Sequence, residues 1–149
     1  RITDFQCALG SNQLKKLDRF VQKRRKISKR YDDSFSNIEN IKIPELLSNV
    51  EPSYHLYPLQ IDFKKLLFSK VELFERMKKA GINLQVHYIP IHLQPFYKKN
   101  YGFQQGDFPI SERFYQNELS LPIYPDLSAD LSDKDVSLVI DSILGIIPT

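Results

Sequence analysis

Apolar residues recur at spacings of three and four from the start of the chain. Phe5, Ala8, Leu9, Leu14, Leu17, Phe20, Val21, Ile27, Tyr31 and Phe35 trace one stripe, the mark of an amphipathic helix. Thr3 followed by Gln6 fits a capping box at its beginning. The spacing predicts one long helix to about residue 34, with Gly10 and Ser11 as the candidate break. A helix of that length reads as a connector between two bodies. Residues 37 to 52 read as a polar loop holding a short strand around 41 to 43. YHLYPLQIDF, residues 54 to 63, reads as a strand, and Pro58 confines it to an edge or a bulge because proline has no N–H to donate. Ser69 with Glu72 is a second capping box, opening a helix that carries Val71, Phe74 and Met77 and stops at Gly81. Residues 82 to 88 return as a strand, which predicts a βαβ-like or split unit over residues 54 to 88. A short helix over residues 109 to 119 bears Phe114 and Tyr115, and residues 119 to 125 are extended. Ser132 with Asp135 caps a last helix whose apolar face is Val136, Val139, Ile140 and Ile143. The fold class predicted is α/β in the loose sense (α+β): a small sheet with helices packed on it.

Composition narrows this little. The 149 residues suit one domain, 42% hydrophobic and 26% charged, with a sizeable core. No apolar run approaches the roughly 20 residues that span a bilayer, so membrane insertion is not expected. A single cysteine, Cys7, excludes a disulfide framework and points to a reducing compartment, with the cytoplasm as the default. The net charge of +3 conceals an asymmetry. Residues 15 to 30 hold nine Lys or Arg against one acid, leaving 12 basic against 17 acidic residues elsewhere, a balance of −5. Such a run suits a nucleic-acid stripe or, more commonly, a solvated helix face or a contact with another chain. Its aromatic neighbours Phe20 and Tyr31 lie on the apolar stripe rather than among the cations, which disfavours a basic-helix nucleic-acid-binding module.

The stretch that invites chemistry is QVHYIPIHLQPFY, residues 85 to 97. His87 and His92 are five apart with Pro90 between them and no cysteine nearby, so no metal site is expected. No G-x-S-x-G elbow and no glycine-rich phosphate loop occurs. Two readings stay open. The loop is a ligand lip on which His87, Tyr88 and His92 are held by two prolines, or its polar groups satisfy backbone partners in a proline-bent connection. His55, in the preceding strand, reads as structural.

Several stretches, taken in order, resemble the C-terminal part of the DegT/DnrJ/EryC1 family of pyridoxal-phosphate (PLP) sugar aminotransferases. RITDFQCALGSNQLKKLD at residues 1 to 18 resembles the family segment N-Y-R-M-T-D-x-Q-A-A-L-G-x-x-Q-L-x-x-L-D, with Cys7 in the first alanine place. QKRRKISKRYDD, HLYPLQID, VHYIPIHLQPFY and GDFPISERFYQNELSLPIYPDLS are similar to the segments that follow. The pattern is closest to members that serve pseudaminic acid synthesis.

The resemblance implies a fold type I (aspartate aminotransferase-like) enzyme. Residues 1–36 would be the connecting helix and residues 37–149 the small C-terminal domain, with the large PLP-binding domain upstream. Arg1 is not an initiator methionine, and the chain reads as cut from something longer. The Schiff-base lysine of the family lies upstream, so no catalytic residue is expected here, and this piece alone is expected neither to hold PLP nor to transaminate. The intact parent would be a homodimer that uses glutamate to aminate a nucleotide-linked 4-keto-6-deoxy sugar for a surface or flagellin glycan. Family members that dehydrate the sugar instead remain an alternative, because the discriminating residue is upstream. The implied substrate-binding residues are Arg1, which matches the family's N-x-R arginine and whose planar fork suits phosphate or carboxylate, and His87, Tyr88 and His92.

Overall fold

In the computed structural model, which describes residues 1–127 and 134–147, three strands run in the order β1 (Ile41–Lys42), β2 (Tyr57–Ile61) and β3 (Glu118–Leu121), and both pairings are antiparallel. Tyr57 lies opposite Leu121 and Leu59 opposite Leu119. Alternation therefore sends these four side chains to one face, where all are buried. Gln60 opposite Glu118 and Pro58 opposite Ser120 occupy the other face. Around the sheet stand α1 (Asp4–Leu14), α2 (Leu17–Phe35), α3 (Lys70–Lys79), α4 (Pro95–Tyr101), α5 (Pro109–Asn117) and α6 (Lys134–Leu144).

Pro58 lies on the central strand, not on an edge strand as its chemistry predicted, yet the rule holds locally. Asp62 N–H donates to Asn40 O across to β1, so the ring nitrogen of Pro58, four residues back, faces the same side. The β1 ladder ends at the pair Lys42–Gln60. Among the described residues no strand stands where the missing donor would be needed.

The strand expected at residues 82 to 88 is reduced to one bridge. Gln85 and Ser120 exchange N–H···O bonds of 3.3 and 2.8 Å. This places the 85 segment parallel to β2 with β3 between them, the split form of the unit. The next rung would pair His87 with Glu118. The Glu118 carbonyl is instead taken by the Lys70 ammonium, and His87 N–H turns to the Glu118 carboxylate at 3.1 Å. The ladder stops because side chains occupy its next hydrogen-bonding groups.

The first predicted helix is two. The Thr3 box forms as expected, Gln6 N–H to Thr3 Oγ1 at 3.3 Å and Thr3 N–H to Gln6 Oε1 at 3.0 Å. The helix then runs through Gly10 and Ser11 and turns at Lys15–Lys16. One interior glycine costs about 1 kcal/mol, which did not break it. α1 buries none of its residues, whereas α2 buries Ile27, Tyr31 and Phe35 at four-residue spacing. Tyr31 rests on Phe35 and Tyr57, ring centroids 6.1 and 5.0 Å apart. Its hydroxyl donates to Pro122 O at 2.8 Å, and Tyr57 Oη donates to Asp32 at 2.6 Å. Burial raises both phenol pKa values and, above all other causes, that of Asp32. α6 closes the core with Val136, Val139, Ile140 and Ile143, as its spacing predicted, and the Arg30 guanidinium donates to Ser137 Oγ at 2.9 Å. The Ser132 cap lies outside the described residues.

α3 begins at the Ser69–Glu72 box and ends in a Schellman turn. Gly81 has φ of 81°, its N–H reaches Lys78 O, and Ile82 N–H reaches Met77 O. Its inward residues are Leu73 and Met77, with Phe74 half-buried. Val71, expected on that face, is exposed.

Candidate functional site

The 85–97 loop divides into two halves with opposite character. Its second half folds inward. Pro95 opens α4, residues Ile91–Leu93 form one 3-10 turn, and Gly102 at φ of 72° closes the helix. His92 is buried, its Nε2 2.8 Å from Glu112 Oε1, and its ring lies 4.7 Å from that of Phe108. Glu112 is buried too and accepts from Gly106 N–H at 2.8 Å. The hydrogen bond from His92, then that from Gly106 N–H, holds its carboxyl below the ordinary glutamate value. Both hydrogen bonds close on the one carboxylate of Glu112, and His92 does not face outward.

The first half of the loop opens to solvent. Tyr88 is 74% exposed and stands edge-on to the His87 ring, centroids 4.8 Å apart. His87 is half-buried, its Nδ1 2.8 Å from Ser120 Oγ, which in turn lies 2.7 Å from Glu118 Oε1. Glu118 has no exposed surface. Lys70 Nζ, which also bonds Tyr115 O at 2.8 Å, is pushed toward a lower pKa by desolvation, with the charge of Glu118 opposing.

His87 and Ser120 line a cleft of about 260 Å³ together with His55, Asn83, Gln85 and Tyr124. This is below the roughly 300–1,000 Å³ of pockets that enclose drug-sized ligands, a size suited to one ring rather than a whole nucleotide. His55, expected to be structural, is exposed on the cleft wall. Glu118 and Ser120 went unnoticed in the sequence, although the alternation E-L-S-L put both on one face of an otherwise apolar strand. Arg1 is exposed at the far end of α1, and none of the hydrogen bonds or ion pairs among the described residues joins it to the loop.

Among the described residues no group of three or more His, Cys, Asp or Glu is placed to hold a metal. In the basic run, Arg24 donates to Ser53 O at 2.7 Å and Arg25 to Pro52 O at 3.1 Å, tying the 51–53 loop to α2. Lys23 faces Asp126 at 3.6 Å and Lys29 faces Asp33 at 2.9 Å. Lys23, Arg24, Arg25 and Lys29 thus have partners within the chain, while Lys15, Arg19 and Lys26 of the same run are exposed. No helix among the described residues is long and apolar enough to cross a membrane.

Strands, caps and cleft together define a small α+β body of the kind found in aminotransferases. Residues 1–144 match the DegT/DnrJ/EryC1/StrS aminotransferase family, and the chain belongs to it. Among curated relatives it is 39% identical over 146 residues to the uncharacterized protein MJ1066 of Methanocaldococcus jannaschii, covering 98% of this chain and 37% of that protein. It is 37% identical over 147 residues to the UDP-4-amino-4,6-dideoxy-N-acetyl-beta-L-altrosamine transaminase of Campylobacter jejuni, covering 99% of this chain and 37% of that one. Among solved structures, Helicobacter pylori PseC, an aminotransferase involved in the biosynthesis of pseudoaminic acid, superposes with a TM-score of 0.84 at 32% identity, over 98% of this chain and 38% of PseC. The PLP form of the putative sugar aminotransferase Spr1654 from Streptococcus pneumoniae superposes at 0.80 with 29% identity, over 99% and 37% of the two chains. The chain therefore spans a little over a third of the length of these relatives.

Among the described residues no lysine lines the cleft of His87 and Ser120. Lys70, the one lysine whose ammonium is pushed toward neutrality, has its Nζ held by two backbone carbonyls.

Proposed function

We propose that this chain is the small C-terminal body of a cytoplasmic PLP-dependent enzyme. That enzyme moves an amino group from glutamate to a nucleotide-linked 4-keto-6-deoxy sugar destined for a surface glycan. The observation that carries the reading is the family match over residues 1–144, joined to an open cleft lined by polar groups. The names of the Campylobacter and Helicobacter relatives favour a sugar of the pseudaminic acid type. In this reading residues 1–36 connect the body to an upstream PLP-binding domain, and the exposed apolar residues Ile2, Phe5, Leu9 and Leu14 pack on that domain or on a second copy in a homodimer. PLP, held upstream, supplies the electron sink for amino transfer.

The residues of this chain bind and orient. Arg1 offers a fork for a diphosphate. His87 offers its ring and Tyr88 its hydroxyl to the sugar. The burial of His92 favours a bracing role, in which its bond to Glu112 holds the loop from behind and so keeps His87 and Tyr88 in place. The test uses the intact protein with glutamate and a UDP-linked 4-keto-6-deoxy hexose, read by the mass of the sugar product and by 2-oxoglutarate. Gain of an amine is expected. Loss of water instead would make it the dehydratase of the family, and salt-sensitive binding to RNA or DNA with neither reaction would make the basic helix its functional surface. Arg1→Ala and His87→Ala are expected to raise the KM for the sugar nucleotide while leaving the cofactor absorbance intact.

A further inference from the structure

The cleft side of His87 is governed from the side it does not show. Ser120 has one hydroxyl proton and lies between a carboxylate oxygen 2.7 Å away and an imidazole nitrogen 2.8 Å away. Glu118 collects donors: the His87 N–H reaches its Oε2 at 3.1 Å, and the Lys70 ammonium sits on the carbonyl of the same residue and interacts with its charge. Both carboxyl oxygens of Glu118 act as acceptors, Oε2 from His87 N–H and Oε1 from the Ser120 hydroxyl. The Ser120 proton then points to Glu118. Its oxygen can meet Nδ1 only by accepting, so Nδ1 must carry a hydrogen. In the neutral ring this leaves the lone pair on Nε2. Among the described residues no hydrogen bond reaches Nε2, and the ring borders the cleft.

We infer that Glu118 and Ser120 are positioning residues that fix His87 as the Nδ1–H tautomer and present Nε2 as the acceptor for a hydroxyl of the bound ligand. The inference rests on the reading above for the identity of that ligand, a sugar ring whose hydroxyls are donors, but not for the tautomer. In the Nδ1–H tautomer the lone pair of Nε2 accepts from a hydroxyl of the ligand. The geometry also explains why a buried acid stands in a strand that otherwise supplies the core. Glu118 binds both the backbone and, through Ser120, the ring of one loop residue.

The experiment is carried out on the intact protein. Nitrogen NMR of selectively labelled histidine, with His87 assigned from a His87→Gln variant, reads the tautomer directly and without substrate. Wild type is expected to show Nδ1–H, Ser120→Ala to lose that preference, and Ser120→Thr, which keeps the hydroxyl, to retain it. In parallel the KM for the UDP-sugar should rise about tenfold in Ser120→Ala, what one lost hydrogen bond is expected to cost. In that variant kcat should be nearly unchanged, and Ser120→Thr should restore KM. In the His87→Gln background, Ser120→Ala should add nothing further, since no ring remains to be oriented. An Nε2–H ring in wild type, a tautomer indifferent to Ser120→Ala, or a KM that follows thermal stability across the variants would overturn the inference. The expected tautomer with no amino transfer to any sugar nucleotide would overturn the transaminase reading and leave the positioning pair standing.

Discussion

The two helices that open the chain both carry apolar residues and meet opposite fates. α1 has a complete capping box and Phe5, Leu9 and Leu14 on its surface, yet Phe5 is 89% exposed and nothing in the helix is buried. The second half of α2 buries Ile27, Tyr31 and Phe35 to 1% exposure or less. Periodicity specifies that a face is apolar. It does not specify what covers it. The face of α2 meets β2 and α6, whereas that of α1 meets nothing within these residues. An apolar stripe left in water is the mark of an interface.

The comparison can be broken at several points, beginning with the largest effect. Phe35→Ala in the 149-residue chain is expected to cost about 3–5 kcal/mol in a urea titration. A loss near zero would mean that the α2 contact with the sheet does not hold the body together. Tyr57→Phe leaves the half-buried Asp32 without its donor and should cost about 1–3 kcal/mol. The sign with pH is informative here. Burial raises the folded pKa of Asp32, so its contribution is fully present below the ordinary aspartate value of about 3.9 and is lost as pH rises through the folded value. Losing the Tyr57 donor should steepen that loss.

Glu112 behaves in the opposite sense. Its folded pKa is depressed, chiefly by His92, so its contribution is present above about pH 4.3 and lost as pH falls through the folded value. Glu112→Gln should therefore lower the urea midpoint at neutral pH and flatten the acid limb, visible as a wild-type minus variant difference that shrinks on acidification. The smallest effect belongs to α1. Phe5→Ser should leave the midpoint of the 149-residue chain within about 0.5 kcal/mol, and on the proposed reading it should destabilise a longer protein in which an upstream domain or a second copy covers this face. Equal, small effects in both would remove α1 from any interface.

Much of the architecture was legible because its signals are local. The capping boxes at Thr3 and Ser69, the stop at Gly81 and the α6 stripe each need only a few neighbouring residues, and each formed as read. The misses share a cause. Whether α3 turned Val71 or Leu73 inward was decided by the core it joins. Whether residues 82 to 88 formed a ladder was decided by Lys70, a residue on another element. His87 and His92 are alike in sequence, five residues apart in one loop, yet one ended on a cleft and the other inside against Glu112. That partner, 20 residues away, left no mark in the loop itself.

The sequence by itself determined most of the helices, the caps at Thr3 and Ser69, the apolar face of α6 and the family, since these follow from propensity, periodicity and motif order along the chain. Only the tertiary structure decided which polar groups serve chemistry and which serve the fold. A histidine or a glutamate takes its role from the donors and acceptors that reach it, and those arrive from elements far apart in the chain. Glu118, silent in the strand ELSL, acquires its meaning from His87 and Ser120 closing on it in space.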